Sequence, residues 1–245
     1  MIHPLADQLW HVPHDFKVNG LPLTTRMTIV RLADGGLWLH SPVPLSPMLA
    51  QALQRLGPVR HIVAPSKTHH LFLSEAIKAF PHARVYGAPG LAEKRPDVAA
   101  MQPLPPSLEA PWAADLEWTL FEGIPYGNET VWFHRPTRTL IVTDLLQWWP
   151  ATLAWSAQVY ARATGVRDGL AVPRTVRWLV RDLEAVRRSV ERVLAWPFER
   201  VVVAHHAVIE TDDRTDAHAC VRRAFACWTG EAQAGAGSAS RAAAS

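Results

Sequence analysis

Short apolar blocks separated by polar turns run through residues 27–89, and each block has the length of one strand or helix. Residues 27–42 predict two strands, because Asp34-Gly35 between apolar runs is typical of a hairpin. Leucines at helical spacing, followed by Gly57, predict a helix next. The predicted order is strand, strand, helix, strand, helix, strand, with the last four elements at 46–57, 59–65, 71–80 and 83–89.

The second half of the chain mixes strands and helices again, which predicts two sheets packed face to face with helices outside. Residues 90–114 are rich in proline and alanine and are interpreted as a connector. Strands are predicted at 116–123, 130–135, 138–144 and 199–206. One helix is predicted from about 174 to 195, with its arginines on a solvated face, and a last helix covers about 213–228.

The length suits one large domain or two small ones, and we interpret residues 1–228 as a single domain with a tryptophan-rich insert at 145–172. Apolar residues make up 49% of the chain and charged residues 19%, which argues against a disordered protein. Residues 229–245 are low in complexity, and we expect a disordered tail there. A net charge of +3 is weak support for nucleic-acid binding, which is not expected.

The expected location is the cytoplasm. Cys220 and Cys227 stand two helical turns apart, roughly 10 Å, which is too far for a disulfide and suggests reduced thiols. The N-terminus lacks a basic start followed by an apolar block, so no signal peptide is expected. The longest apolar stretch, residues 145–155, is too short to cross a bilayer and contains Pro150.

Three predicted strands end in side chains that are able to bind a metal ion. His69 and His70 follow the strand at 59–65, Asp144 ends the strand at 138–144, and His205 ends the last strand. Ligand sites of open α/β sheets lie beyond the carboxyl ends of strands, which suggests that these groups meet. Each group also has a simpler interpretation, since histidines at strand ends often cap a following helix and an aspartate often caps a turn.

Segments around these residues resemble the metallo-β-lactamase fold superfamily, in a branch mostly labelled as a domain of unknown function. The resemblance covers residues 10 to about 218. Residues 61–87 are similar to the strand, turn and helix that carry H-x-H-x-D-H, residues 138–146 to the strand ending in the bridging aspartate, and residues 201–212 to the turn with the final histidine. The resemblance implies an α+β, four-layer αββα sandwich of two mixed sheets with helices on the outer faces.

The motif departs from the family's pattern at one of its two metal positions. Pro65, Lys67 and Ile124 stand where three histidines belong, and Ser41 stands where many members carry an aspartate. What remains implies one divalent ion, Zn²⁺ or Fe²⁺, held by His69, His70, Asp144 and His205. His206 and His134 are candidates for hydrogen-bond support or proton transfer, and Lys67 for a steering charge.

The resulting hypothesis is a metal-dependent hydrolase acting on an ester, lactone or thioester of a small molecule. One alternative is a non-catalytic scaffold that binds a ligand or partner, and another is an iron-dependent redox enzyme. Nuclease activity rests only on fold analogy and the slight basicity of the chain. Three tryptophans of the insert either wall an apolar pocket or are ordinary core residues: Trp148, Trp149 and Trp155. The sequence does not indicate the substrate or the oligomeric state.

Overall fold

The structure, a computed structural model, describes residues 1–18, 20–150, 153–212 and 215–230. These residues form two mixed sheets of seven and five strands. The first sheet has its strands in chain order: β1 (His3–Ala6), β2 (Leu9–Val18), β3 (Leu21–Arg31), β4 (Leu37–His40), β5 (Val59–Ala64), β6 (Arg84–Gly87) and β7 (Met101–Pro103). The second has the order β12 (Val208–Glu210), β11 (Arg200–Val202), β10 (Thr139–Ile141), β9 (Thr130–His134) and β8 (Leu116–Leu120).

Helices cover the outer faces of both sheets, so the described chain has four layers. The helices are α1 (Pro47–Leu56), α2 (Leu73–Ala79), α3 (Leu91–Lys94), α4 (Trp155–Thr164), α5 (Arg174–Trp178), α6 (Leu183–Leu194) and α7 (Ala217–Thr229). One apolar cluster joins the first sheet to α1 and α2, and another joins the second sheet to α6 and α7. A third lies between the sheets around Trp38, Trp112 and Trp132. The predicted α+β sandwich is confirmed.

A long antiparallel hairpin joins β2 to β3, whose residues 21–26 precede the first predicted strand. It pairs Leu9 with Val30 at one end and Val18 with Leu21 at the other. The sequence does not predict β2 because its buried positions do not alternate: only Leu9 and Val12 are buried, and Pro13 follows directly after Val12. This hairpin matters for function, since β3 carries Thr24 and Arg26 to the edge where the predicted ligands lie.

The helix predicted from 174 to 195 is two helices, α5 and α6. The chain breaks there because the Gly123 carbonyl oxygen accepts the backbone N–H groups of Arg181 and Asp182. The Asp182 side chain then caps α6 by accepting the Ala185 N–H at 3.0 Å. Leu183, predicted to be buried, is therefore 41% exposed.

Other boundaries also differ from the prediction. The 90–114 connector contains α3, β7 and a short 3₁₀ turn at Ser107–Glu109. The strand predicted at 199–206 ends at Val202, and β12 returns antiparallel to it. Thr229 belongs to α7, and the rest of the predicted tail beyond Gly230 lies outside the described residues. Within the described ranges, no helix combines the length and apolarity needed to cross a membrane.

Two buried histidines predict loss of stability in acid. His61 is 5% exposed and His134 is fully buried, and burial lowers the pKa of each from 6.5 to about 4. Below pH 6.5 the unfolded chain binds protons at these histidines that the folded chain does not bind. Their contribution to the free energy of unfolding is therefore fully present above pH 6.5 and falls as the pH drops toward 4. Each histidine accounts for about 3 kcal/mol of this loss.

Urea unfolding at neutral pH and near pH 4.5 measures the effect. A His134→Asn variant is expected to lose markedly less stability between the two pH values than the wild type, because the amide does not titrate. Replacing the exposed His82 by asparagine is the matched control. An unchanged pH dependence in His134→Asn contradicts the assignment.

Candidate metal centre

Three of the predicted ligands meet at the carboxyl ends of their strands. Asp144 follows β10 and His205 follows β11, and these strands are parallel neighbours, so the two side chains emerge side by side. His69 reaches the same point from the loop after β5 in the first sheet. The site therefore lies at the edge where the two sheets meet.

The three side chains converge on one carboxylate oxygen. His205 Nε2 lies 3.0 Å from Asp144 Oδ1, and His69 Nε2 lies 3.3 Å from the same atom. One ligand atom from each residue lies within 4.8 Å of the other two. The imidazole side chains are buried, at 8% and 9% exposed, whereas the Asp144 side chain is 28% exposed. A small cation placed among them would have three donor atoms and one accessible side.

Neighbouring groups fix the orientation of each side chain. His205 Nδ1 donates to the Thr24 carbonyl oxygen at 2.8 Å, and His69 Nδ1 lies 2.9 Å from Ser41 Oγ. Thr68 Oγ1 donates to Asp144 Oδ2 at 2.7 Å, so Oδ1 faces the imidazoles, with a longer contact of 3.4 Å from Gln147 Nε2. Metal-binding histidines in proteins are oriented by hydrogen bonds of this kind at their second nitrogen.

The hydrogen bond between His205 Nδ1 and the Thr24 carbonyl favours a positive charge between His205 and Asp144. A carbonyl only accepts, so the proton of neutral His205 is on Nδ1 and its Nε2 presents a lone pair to a carboxylate oxygen. Two acceptors at 3.0 Å repel each other unless a proton or cation lies between them. The pKa values agree with this. Burial disfavours the charged forms of Asp144 and His205, yet the imidazoles hold the pKa of Asp144 well below its usual range. Asp144 in turn raises the pKa of His205.

The donor set fits a divalent ion. Two imidazoles and one carboxylate are ligands that zinc and iron accept, and three protein ligands leave a position for water or substrate. His69, Asp144 and His205 would hold the ion.

Glu129 holds the backbone that presents Asp144. Its buried carboxylate accepts the N–H groups of Thr143, Asp144 and Leu145, at 2.6, 2.9 and 2.8 Å. Burial, and then the charge of Asp144, raise the pKa of Glu129 to about 7, although the three N–H groups favour its ionised form. Glu129 thus stabilises a turn of three successive amides that has no partner strand to pair with.

Arg26 does the same for the turn that contains His205. It is 4% exposed, and its guanidinium donates to the carbonyl oxygens of Val203, His206 and Ala207. Burial lowers the pKa of Arg26 to about 10, so it stays charged at neutral pH. The turn needs this support because His206 has a φ of +62°, a conformation that residues with a Cβ rarely adopt.

Replacing Arg26 by lysine is expected to lower the free energy of unfolding by about 2 kcal/mol, because an ammonium cannot donate to three separate carbonyls in this fork. Arg31→Lys on the same strand is the control, since its guanidinium donates to one backbone carbonyl, that of Leu56, and to the side-chain oxygen of Gln8. Equal losses in the two variants, measured by chemical denaturation, would show that the turn does not depend on Arg26.

His70, predicted as a fourth ligand, is set apart from the other three. Its Nδ1 lies 3.1 Å from Arg95 Nη1, and Arg95 also donates to the His70 carbonyl oxygen at 2.9 Å. A guanidinium only donates, so Nδ1 accepts and the ring proton is on Nε2. Neither nitrogen then offers a lone pair to an ion.

The other two predicted histidines also lie away from the cluster. His134 pairs with Thr139 at the start of β10, the end opposite to Asp144, and its Nδ1 lies 2.7 Å from Thr137 Oγ1. The His206 ring packs edge-on against Trp149 at 4.7 Å and lines a cavity beyond the cluster. His134 is therefore too far for proton transfer at Asp144, and His206 supports the site through its backbone.

Asp144 and Thr68 form a wall between two cavities. The larger, about 540 Å³, lies over the second sheet, and the smaller, about 160 Å³, also contacts His69, His70 and His205. The three tryptophans of the insert differ: Trp149 is buried, Trp155 is 78% exposed and Trp148 lines a separate cavity. None of the three lines the larger cavity beside Asp144, whose wall contains Trp178 instead. Lys67 Nζ donates to the Pro125 carbonyl oxygen at 3.2 Å, where it is not aimed at the cluster.

Comparison with solved structures identifies the class of fold. The chain resembles a metallo-β-lactamase from Pontibacter korlensis at 13% identity and a TM-score of 0.59, covering 94% of this chain and 99% of that one. It resembles metallo-β-lactamase FIM-1 from Pseudomonas aeruginosa, in its mono-zinc form, at 12% and 0.55, covering 86% and 89%. A metal-soaked Flv1 flavodiiron core from Synechocystis sp. PCC6803 matches at 11% and 0.62, covering 96% and 62%. The protein has a metallo-β-lactamase fold.

The family within this class follows from the sequence. Residues 6–153 match the family described as a domain of unknown function, DUF4336, and the chain belongs to that family. No curated protein matches the chain. The predicted resemblance, a divergent metallo-β-lactamase fold in a branch of unknown function, is confirmed.

Proposed function

We propose that the protein is a metal-dependent hydrolase whose single ion is bound by His69, Asp144 and His205. The observation that carries the proposal is the convergence of two imidazole lone-pair positions on one carboxylate oxygen beside a cavity. The mono-zinc metallo-β-lactamase of the same fold supports it by analogy. His70 is left out of the proposed ligand set, and His134 is left out of the proposed catalytic set.

The protein's own residues would prepare the site in three ways. Thr24 keeps the His205 proton on Nδ1, Thr68 turns Asp144, and Glu129 and Arg26 hold the two backbone turns. A bound divalent ion would supply Lewis acidity and lower the pKa of a water molecule toward about 7. The larger cavity would hold the substrate with its ester, lactone or thioester carbonyl near Asp144.

Metal analysis combined with an activity assay tests this function. Protein purified without added metal is expected to carry about one zinc or iron per chain. It should hydrolyse para-nitrophenyl acetate in a reaction that a chelator stops and zinc restores. A protein without metal, whose thermal stability is unchanged in chelator, would instead be the non-catalytic scaffold.

The donor set also supports a second candidate, an iron-dependent redox enzyme. Two histidines and one carboxylate are the ligands of many non-haem Fe(II) oxygenases, and the Flv1 flavodiiron core has the same fold. The metal analysis separates the candidates: a coloured preparation that contains iron and lacks chelator-sensitive esterase activity would favour redox chemistry.

A further inference from the structure

The larger cavity has a chemical character that indicates what it binds. Its walls are mostly apolar, and the residues that give it this character are Phe121, Ile124, Leu145, Val176, Trp178 and Leu179. Its volume of about 540 Å³ is within the range of cavities that bind drug-sized molecules, roughly 300 to 1,000 Å³. An apolar wall of this size favours a hydrocarbon or aromatic group over a small polar substrate.

The charges around the cavity exclude one class of ligand. Among the described residues that line it, the ionisable acids Asp144 and Glu129 lie at the inner end, and no lysine, arginine or histidine is present. Glu129 already accepts hydrogen bonds from three backbone N–H groups, so its carboxylate has little capacity left to bind a polar group of a substrate. Along the apolar wall, away from the proposed ion at Asp144, a carboxylate or phosphate on the ligand would lose its hydration without gaining a cationic partner.

Two aromatic side chains extend the cavity toward solvent. Trp178 is 75% exposed and Tyr126 is 64% exposed, although both contribute to the wall. Because both side chains line the same cavity, a ligand bound there would contact aromatic surface that is otherwise open to solvent. A ligand that enters the cavity would cover them, and this burial would add to its affinity.

We propose that the cavity binds uncharged esters or thioesters with an apolar acyl or aryl group and rejects substrates that carry a carboxylate. The binding preference stands on the cavity itself, whereas the bond cleaved rests on the proposed function. In that reaction the water oxygen bonds to the acyl carbon and the C–O bond of the ester, or the C–S bond of the thioester, breaks. A proton of the water passes to the leaving oxygen or sulfur, so the products are a carboxylic acid and an alcohol or thiol. The charge of the acid product then favours its release.

Fluorescence of two matched dyes tests the preference without any need for catalysis. Uncharged N-phenylnaphthylamine is expected to bind at least about tenfold more tightly than anionic anilinonaphthalene sulfonate. Trp178→Ala should weaken binding of the uncharged dye by about tenfold. Trp155→Ala is the control, because Trp155 is 78% exposed and does not line the cavity. A Leu179→Arg variant should reverse the preference by placing a cation in the wall.

The outcomes separate this inference from the proposed function. Equal binding of the two dyes, or equal effects of the two tryptophan variants, would overturn the apolar-ligand proposal even if the protein carries zinc. If the uncharged dye binds as expected and para-nitrophenyl octanoate is not hydrolysed by metal-loaded protein, the ligand class stands and the hydrolase proposal fails. Hydrolysis of the octanoate but not of the para-nitrophenyl monoester of succinate would support both.

Discussion

Replacing His69 by alanine is expected to weaken zinc binding by at least about 100-fold, whereas the same change at the adjacent His70 should alter it by less than about threefold. The reason is the direction of the ring nitrogens. His69 Nε2 faces Asp144 Oδ1 at 3.3 Å, but the Nδ1 of His70 accepts a hydrogen bond from Arg95. Titration against a chromophoric zinc chelator measures both affinities.

The His69→Ala and His70→Ala variants are matched controls for each other, because each replaces one histidine of the same loop by alanine. Arg95 keeps its bonds to the His70 carbonyl oxygen, Ser74 and Asp97 in the His70→Ala variant, so that loop retains its anchor. Similar melting temperatures of the two apo variants would show that neither has lost its fold. Loss of zinc in His70→Ala, with binding kept in His69→Ala, would reverse the proposed assignment.

Replacing Glu129 by alanine is expected to destabilise the fold by about 3 to 4 kcal/mol. The change leaves three buried backbone N–H groups, those of Thr143, Asp144 and Leu145, without an acceptor. Because these amides belong to the turn that carries Asp144, metal affinity should fall as well. Urea unfolding measures the first effect and zinc titration the second.

Glu117→Ala on β8 is the matched control for this change. Glu117 also accepts hydrogen bonds, from Arg135 and Trp196, but its side chain is 31% exposed, so water can replace it. Its loss should cost about 1 kcal/mol or less. Glu129→Gln, which keeps one acceptor oxygen, should fall between the two. Equal destabilisation by the two alanine variants would contradict the role of Glu129.

The elements from β3 to β6 were predictable because each has a local signal. Asp34-Gly35 marks the β3–β4 turn, and leucine spacing marks α1. The division between α5 and α6 was not predictable, since it depends on the Gly123 carbonyl, which is distant in sequence from Arg181 and Asp182. Periodicity reports only which faces of a segment are apolar, and it does not detect a distant acceptor that ends a helix.

The candidate site was predictable in part for the same reason. His69, Asp144 and His205 stand at strand ends, which the sequence indicates. The direction of a ring within a turn depends on its neighbours, so adjacent His69 and His70 could not be distinguished without the positions of Ser41 and Arg95. Glu129 and Arg26 were missed, although a lone acid next to an apolar strand and an arginine within one are signals of buried partners.

Anomalous diffraction at the zinc edge, from crystals grown with zinc, is the direct test of the proposed metal centre. One strong peak is expected about 2.0 to 2.2 Å from the Nε2 atoms of His69 and His205 and from a carboxylate oxygen of Asp144. The His70 ring should remain beside Arg95. A fully occupied zinc ion bound elsewhere, or no peak among these three side chains, would contradict the account.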